Sequence, residues 1–364
     1  MSGEQFIREC FRLAQRGKGQ VSPNPMVGAV LVRNGKILAK GFHREFGGAH
    51  AEVECLRRAP GDVRDATLYV NLEPCSHHGK TPPCVDLILA RGIRSVVAAM
   101  KDPNPAVAGR GLRKLQEAGV KTRTGLLEEE ARELNRVFAT HIVARRPYVH
   151  VKIAQSRDGR INGGTSRWIS SPESRKRVHA MRAEYDAVLV GAGTVRADDP
   201  SLTVRLVKGR DPDVVVLDGA FSLSAGRKLF KAHPSRRVYL VTTQQALRRN
   251  REKARILSAG GIILLGLAGT REHLNVGRVM KELYKRNIGS VLVEGGGSVF
   301  SQFVAEGLID ELTLFVSPDF FGKGLVAIRP DMSISRNRLR TARATVGSSG
   351  RDFMLNVRYD ERNS

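Results

Sequence analysis

Residues 73–84 read Glu-Pro-Cys-Ser-His-His-Gly-Lys-Thr-Pro-Pro-Cys. Cysteines, histidines and a lysine in one short stretch can ligate a metal, exchange disulfides or carry protons. Upstream, residues 47–59 (GGAHAEVECLRRA) put His50 and Glu52 two apart at the start of a helical run. Positions i and i+2 do not share a face of a regular helix. Both reach one centre only from the first turn, with the helix N-terminus facing it. A catalytic zinc takes three protein ligands and keeps a fourth position open. His50, Cys75 and Cys84 supply one imidazole and two thiolates, which leaves Glu52 as a non-ligating carboxylate that can pass a proton. Zinc lowers the pKa of its water to about 7, enough to attack a ring carbon bearing an amino group. His77 or His78 is an alternative nitrogen ligand, and an incidental loop pair is the alternative for Cys75 and Cys84. Cys10 and Cys55 read as core thiols on helices.

Zinc deaminases carry H-x-E followed by P-C-x-x-C. His50-Ala51-Glu52 and Pro74-Cys75 match that signature, but eight residues lie between Cys75 and Cys84. The segment from Ser76 to Pro83 must therefore loop out and return. Gly79 permits the turn, and Pro82 and Pro83 stiffen the way back. His77, His78 and Lys80 then sit at the rim.

Three stretches of the second half also have chemical character. Residues 152–171 (KIAQSRDGRINGGTSRWISS) break a strand into a polar, glycine-rich loop around the only tryptophan. Residues 191–205 (GAGTVRADDPSLTVR) follow a strand with a glycine turn and two aspartates. Residues 290–307 (SVLVEGGGSVFSQFVAEG) read as strand, glycine triplet and helix. That order exposes backbone N–H groups at a helix N-terminus to a phosphate. The dinucleotide fingerprint G-x-G-x-x-G with its downstream acid is incomplete here. A tight ligand-free turn at Gly295–Gly297 and a core Trp168 are the plain alternatives.

The elements that must position these groups alternate along the chain. An apolar stripe at Phe6, Ile7, Cys10, Leu13 and Ala14 predicts a first helix. Residues 27–33 and 36–42 around Asn34-Gly35 predict a hairpin. Strands at 67–72 and 94–100 alternate with helices at 84–92, 110–119 and 126–143, which implies an α/β sandwich with a largely parallel sheet. Turn chemistry at 144–149 marks a boundary, giving domains 1–145 and 146–364. Apolar strands restart at 148–156, 187–192, 214–218, 237–243, 261–266, 290–295 and 311–317. Residues 340–360 predict an antiparallel pair.

The composition, 41% hydrophobic and 26% charged, is that of a soluble globular chain. No apolar run approaches the roughly 18 residues of a membrane span, and the N-terminus lacks secretory-signal character. Four cysteines are too few for a disulfide scaffold at 364 residues; a cytoplasmic location is expected, where clustered cysteines are metal ligands or catalytic groups. The net charge of +24 favours anionic partners. A nucleic-acid deaminase is one reading of that charge, but only 5% of residues are aromatic and no stacking motif stands out. A zinc-stabilised structural protein is another, and it gives Glu52 nothing to do.

SPNPMVGAVLV, HAEVECL, LEPCSHHGKTPPC and DPNPAVAGRGL together resemble the bifunctional riboflavin-biosynthesis deaminase/reductase family, in which the longer cysteine spacing is the rule. VKIAQSRDGRI, SRWISSPESR, GAGTVRADDPSLTVR and VEGGGSV extend the resemblance over nearly the whole chain. It implies an α/β architecture: a cytidine-deaminase-like sandwich, then a dihydrofolate-reductase-like domain. It implies Zn2+ on His50, Cys75 and Cys84, Glu52 as proton shuttle, and Asn24, His43, His77, Lys80 and Asp102 around a phosphorylated diaminopyrimidinone ribotide. Asn24, between two prolines, is otherwise a plain turn residue. In the second domain it implies NADPH against Ala154, Trp168, Thr194, Asp198, Gly296, Gly297 and Ser298. Substrate would meet Ser166, Arg182, Leu202, Arg205 and Glu294, with Arg182 and Arg205 as phosphate partners because guanidinium binds phosphate bidentately. The loop at Asn162-Gly163-Gly164 looks shorter than the family's usual run. A homo-oligomer is implied too, with no membrane or nucleic-acid partner.

Overall fold

Helix α1 (Gly3–Ala14) begins at a capping box: Ser2 Oγ accepts from Gln5 N, and the Gln5 side chain accepts from Ser2 N. The structure, a computed structural model, describes residues 2–77, 82–105, 107–164, 168–231, 236–271, 273–327 and 341–359. The chain divides into two units, Met1–Arg145 and Arg146–Ser364.

The first unit holds strands β1 (Gly28–Arg33), β2 (Lys36–Phe42), β3 (Thr67–Val70), β4 (Ser95–Ala98) and β5 (Lys121–Thr124) in the order β2-β1-β3-β4-β5. The hairpin β1–β2 and the pair β1–β3 are antiparallel, whereas β3–β4 and β4–β5 are parallel. The sheet is thus mixed, where the strand–helix alternation had predicted a largely parallel one. Strand β1 is apolar on both faces because both are covered. Ala29 and Leu31 enter the larger core with Leu56, Leu68, Ile88 and Leu115. Val30 and Val32 pack with Phe6, Cys10 and Leu13 of α1. Each such large side chain contributes about 1.5–3 kcal/mol.

Helices α2 (Ala51–Arg57), α3 (Cys84–Ala90) and α4 (Arg110–Glu117) follow β2, the cysteine loop and β4 respectively. Residues 126–143, predicted as one helix, form α5 (Glu128–Leu134) and α6 (Arg136–Val143). They break at Asn135, whose side chain is drawn off to bracket Met26: Oδ1 accepts from Met26 N at 2.8 Å and Nδ2 donates to Met26 O at 3.1 Å. Strand β5, Lys-Thr-Arg-Thr, has no apolar alternation and escapes sequence reading; it is a polar edge.

The second unit is built on a nine-stranded sheet. In chain order its elements are β6 (Tyr148–Gln155), α7 (Pro172–Glu184), β7 (Ala187–Gly191), α8 (Ala192–Asp198), β8 (Asp213–Leu217), β9 (Val238–Thr243), α9 (Gln244–Arg249), α10 (Arg251–Ala259), β10 (Ile262–Leu267), α11 (Val276–Tyr284), β11 (Ser290–Val293), α12 (Gly297–Glu306), β12 (Glu311–Val316), β13 (Thr341–Ser349) and β14 (Asp352–Tyr359). The order β10-β9-β8-β7-β11-β6-β12 is parallel throughout, and β14 and β13 close it antiparallel. Near-continuous Val, Ile and Leu in the central strands is what burial on both faces requires. Val151, Leu189, Val215 and Val291 pack there against Phe300 and Phe303 of α12.

Candidate functional sites

His50 is the N-cap of α2, in extended backbone conformation (φ −70°, ψ 160°), and Glu52 lies in the first turn. This is the geometry that lets residues two apart serve one centre. Close approach of α2 to β2 needs Gly41, because a Cβ there would overlap the Ala51 carbonyl oxygen and the Cys55 nitrogen. Cys84 opens α3 after Pro83. Its amide N–H donates to Cys75 Sγ at 3.3 Å, and Val85 N donates to Cys75 O at 3.2 Å, so the returning loop is stitched to its start.

The nitrogen and both sulfurs converge. His50 Nδ1 lies 3.2 Å from Cys84 Sγ and 3.5 Å from Cys75 Sγ, and all three ligand atoms fall within 4.8 Å of one another. Zn–N near 2.0–2.1 Å and Zn–S near 2.3 Å give a tetrahedral N···S edge of about 3.6 Å. The donor set and its spacing therefore fit zinc. Among the described residues this is the one such His/Cys/Asp/Glu group. The Cys84 thiol, with His50 adding to it, holds Cys75 below the usual thiol range against the opposing pull of burial. Glu52 is 4% exposed. Burial, and next the Cys75 charge, push its carboxyl up to about 7.

Around this centre the structure brings together Asn24, His43 and Asp102. The His43 ring stands 5.6 Å from that of His50, edge to face. His43 Nδ1–H donates to Ala49 O at 3.0 Å, so Nε2 accepts from Asn24 Nδ2 at 3.2 Å. Burial lowers the His43 pKa, which keeps this neutral tautomer in place. Burial raises the Asp102 carboxyl, with His77 among the charges acting on it. Lys80 and the alternative ligand His78 lie outside the described residues.

Three positioning groups went unread in the sequence. Asn71 Oδ1 accepts from Gly28 N at 2.7 Å and its Nδ2 donates to Met26 O at 2.9 Å. Together with Asn135 it fixes the backbone that leads from Asn24 into β1. Glu73, 4% exposed, accepts four backbone N–H bonds. An asparagine at a strand end and a glutamate before Pro-Cys look like ordinary loop residues until their burial is known.

In the second unit Ala154, Thr194, Asp198, Glu294 and Gly296 to Ser298 lie at the carboxyl ends of parallel strands, where open α/β sheets bind ligands. Ala154 lies near the end of β6, opposite Phe315. Thr194 and Asp198 lie on α8, immediately after β7, and Glu294 follows β11. Gly296 is the N-cap of α12 and provides no side-chain cap, so the first-turn N–H groups of Gly297 and Ser298 are not met by one. A Cβ on Gly296 would stand 3.4 Å from Thr194 Oγ1, which places the α8 and α12 N-termini side by side. Such an uncapped pair fits the phosphate of a nucleotide cofactor.

Trp168 is 49% exposed and carries the Arg175 guanidinium 4.7 Å over its ring, so the core alternative for it is set aside. Arg182 and Glu294 form a two-pronged pair, Nε to Oε1 at 2.6 Å and Nη2 to Oε2 at 2.8 Å, while Arg182 Nη1 reaches Thr203 O at 3.2 Å. The fork that sequence reading reserved for phosphate is thus engaged within the protein. Burial would raise the Glu294 carboxyl, but Arg182 and Lys152 together hold it below its ordinary value. Leu202 is buried in left-handed backbone (φ 54°), an uncommon conformation for a branched side chain. Arg205 N donates to His179 Nδ1 at 3.0 Å, and its Nη1 donates to Thr203 Oγ1 at 2.7 Å. Ser166 lies outside the described residues.

Residues 1–100 match the cytidine and deoxycytidylate deaminase zinc-binding region, and residues 147–351 match the RibD C-terminal domain. Riboflavin biosynthesis protein RibD of Aquifex aeolicus (strain VF5) is 38% identical over 97% of this chain and 97% of its own length. The Bacillus amyloliquefaciens protein of the same name is 41% identical over 88% of this chain and 85% of its own. A crystal structure from Thermotoga maritima, a diaminohydroxyphosphoribosylaminopyrimidine deaminase/5-amino-6-(5-phosphoribosylamino)uracil reductase, superposes with a TM-score of 0.84. It is 39% identical, and the match covers 98% of this chain and 99% of that one.

Proposed function

Since the chain belongs to the RibD family of riboflavin-biosynthesis proteins, which join a deaminase to a reductase, we propose that its 1–145 domain deaminates and its 146–364 domain reduces successive phosphorylated pyrimidines. The substrate of the first step is 2,5-diamino-6-ribosylamino-4(3H)-pyrimidinone 5′-phosphate. The product of the second is 5-amino-6-(5-phosphoribitylamino)uracil. The observation that carries the reading is the convergence of His50, Cys75 and Cys84 beside the buried Glu52.

In the first step water supplies an oxygen to the ring carbon and ammonia leaves. His50, Cys75 and Cys84 would hold Zn2+, which supplies Lewis acidity that makes water acidic near neutral pH. Glu52 takes the proton from water and delivers it to the departing nitrogen. Its carboxyl, pushed up to about 7, is matched to both tasks at neutral pH. Asn24 and His43, locked to each other, His77 and Asp102 would line the pyrimidine side, and Lys80 is assigned to it by the family resemblance alone.

In the second step NADPH supplies hydride to the ribosyl C1′, and the sugar opens to ribityl. Ala154, Trp168, Thr194, Asp198, Gly296, Gly297 and Ser298 would hold the cofactor, with a phosphate on the uncapped turns. Leu202, Arg205 and the paired Arg182 and Glu294 would meet the ribotide, and Ser166 is assigned to it by the family resemblance alone. The protein's part is to place C1′ against the nicotinamide and keep its own charges balanced. A net charge of +24 favours phosphorylated ligands at both steps. Among the described residues no helix is long and apolar enough to cross a membrane; a cytoplasmic homo-oligomer completes the reading.

The test supplies the diaminopyrimidinone ribotide to zinc-loaded protein and follows ammonia, with cytidine as control. Ammonia from the ribotide, followed by NADPH oxidation that requires the deaminated product, is expected. Ammonia from cytidine alone would overturn the substrate assignment.

A further inference from the structure

Glu73 precedes Pro74-Cys75 in a loop, yet its carboxylate is the most heavily used acceptor around the first site. Oε2 accepts from Asp102 N at 3.1 Å and Gly109 N at 2.8 Å. Oε1 accepts from Gly111 N at 2.8 Å and Leu112 N at 3.2 Å. The Glu73 backbone N–H donates in turn to Met100 O at 3.0 Å. One side chain thereby ties the cysteine loop to the segment carrying Asp102 and to the start of α4.

Helix α4 needs this partner. Its N-cap, Gly109, is left-handed (φ 77°) and offers no side-chain cap. A carboxylate is the favoured group at a helix N-terminus, and here it comes from a distant part of the chain. The approach is close enough that a Cβ on Gly111 would overlap the Pro74 carbonyl oxygen. Asp102 is fixed at both ends of its residue: its N–H points to Glu73, and its Oδ1 accepts from Asn104 N at 2.8 Å. Asp102 therefore has little freedom to turn away from the centre while Glu73 is in place.

We propose that Glu73 is a positioning residue of the deamination step, acting through Asp102 to hold the substrate side of the pocket in register with the cysteine loop. The proposal rests on the reading of Asp102 as a substrate contact. Glu73 touches neither substrate nor metal. It is placed to set how well the ribotide is seated, leaving the metal ligands and Glu52 as they are.

The experiment is a double-mutant cycle on zinc-loaded, full-length protein: Glu73→Gln, Asp102→Ala and the pair, read as kcat and KM for ammonia release from the ribotide. Zinc content and NADPH oxidation on the deaminated product are followed in parallel. Glu73→Gln turns one oxygen into a donor that faces two N–H groups. It is expected to raise KM about tenfold or more, with a smaller change in kcat. Zinc content and reductase turnover should be unchanged. In the double variant KM should be no higher than in Asp102→Ala alone, because both changes remove the same interaction. Additive effects, or an unchanged KM in Glu73→Gln, would overturn the proposal. If Asp102→Ala leaves KM unchanged while Glu73→Gln raises it, the reading of Asp102 fails, and with it the route of action proposed for Glu73. Should Glu73→Gln lose zinc or fold poorly, Glu73→Asp keeps the charge and carries the same cycle. Zinc loss in that variant too, with KM unmoved, would make Glu73 a purely structural cap and end the proposal.

Discussion

Arg182 and Glu294, on α7 and just past β11, are joined by two parallel hydrogen bonds of 2.6 and 2.8 Å, with side chains only 12% and 6% exposed. Lys152 on β6 acts on the same carboxylate. Strand β6, helix α7 and the far later end of β11 thus meet through one charge cluster. Breaking a buried pair by removing one partner costs about 3–5 kcal/mol, because the other charge is left uncompensated. Glu294→Gln should lower the stability of the second unit by about that amount and reduce NADPH oxidation strongly, with ammonia release preserved. Denaturant unfolding of the variant beside the parent checks this, and a loss below about 1 kcal/mol would show the pair to be dispensable.

His179 offers a pH handle on the same region. Its Nδ1 accepts the Arg205 N–H at 3.0 Å, a bond that requires the neutral ring. Burial first, and then the charges of Arg182 and Arg205, lower its pKa from 6.5 to about 4, with Glu294 and Asp211 opposing. The unfolded chain therefore binds a proton that the folded chain refuses between those values. The contribution of His179 is fully present above pH 6.5 and is lost as pH falls toward 4. Thermal midpoints measured across that window should fall more steeply in the parent than in His179→Asn. Equal slopes would remove His179 from the account.

Legibility in the sequence followed periodicity and burial. The long strands of the second unit were readable because strands such as Ala187–Gly191 and Asp213–Leu217 are buried from end to end, and continuous apolar runs announce that. Strand β5 was not, since an exposed polar edge has no alternation to read. The break at Asn135 was invisible because its cause, Met26, lies 109 residues away. The convergence of His50, Cys75 and Cys84 was legible because few residue types suit metal ligation. The roles of Glu73 and Asn71 rest on backbone groups that any sequence supplies. Arg182 was read as a phosphate ligand because its type permits it; only the structure shows Glu294 facing it.

Glu52 has a direct test. Glu52→Gln keeps shape but removes the proton-carrying group, and positioned acid–base groups contribute about 10²–10⁴-fold. Ammonia release should fall by that range while zinc content and NADPH oxidation on the deaminated product stay at parental values. Unchanged ammonia release with zinc retained would make the centre structural and leave deamination without its proton carrier.

Gly41 tests the element beneath the centre. The Ala51 carbonyl oxygen and Cys55 nitrogen of α2 sit where its Cβ would be, and Ala39, Ala51 and Cys55 belong to the buried core. Gly41→Ala must push α2 outward or strain β2, and overpacking of this kind costs about 1–3 kcal/mol. Because α2 carries His50 at its N-cap and Glu52 in its first turn, a displacement there moves one ligand away from two that stay with the cysteine loop. Zinc affinity should therefore fall along with stability, whereas Gly35→Ala, at a turn where a Cβ meets nothing within 4 Å, should cost stability through its left-handed backbone (φ 72°) without weakening zinc. Metal titration against a competing chelator separates the two. Equal zinc affinity in both variants would mean that the centre tolerates movement of α2 and that its geometry is held by the cysteine loop alone.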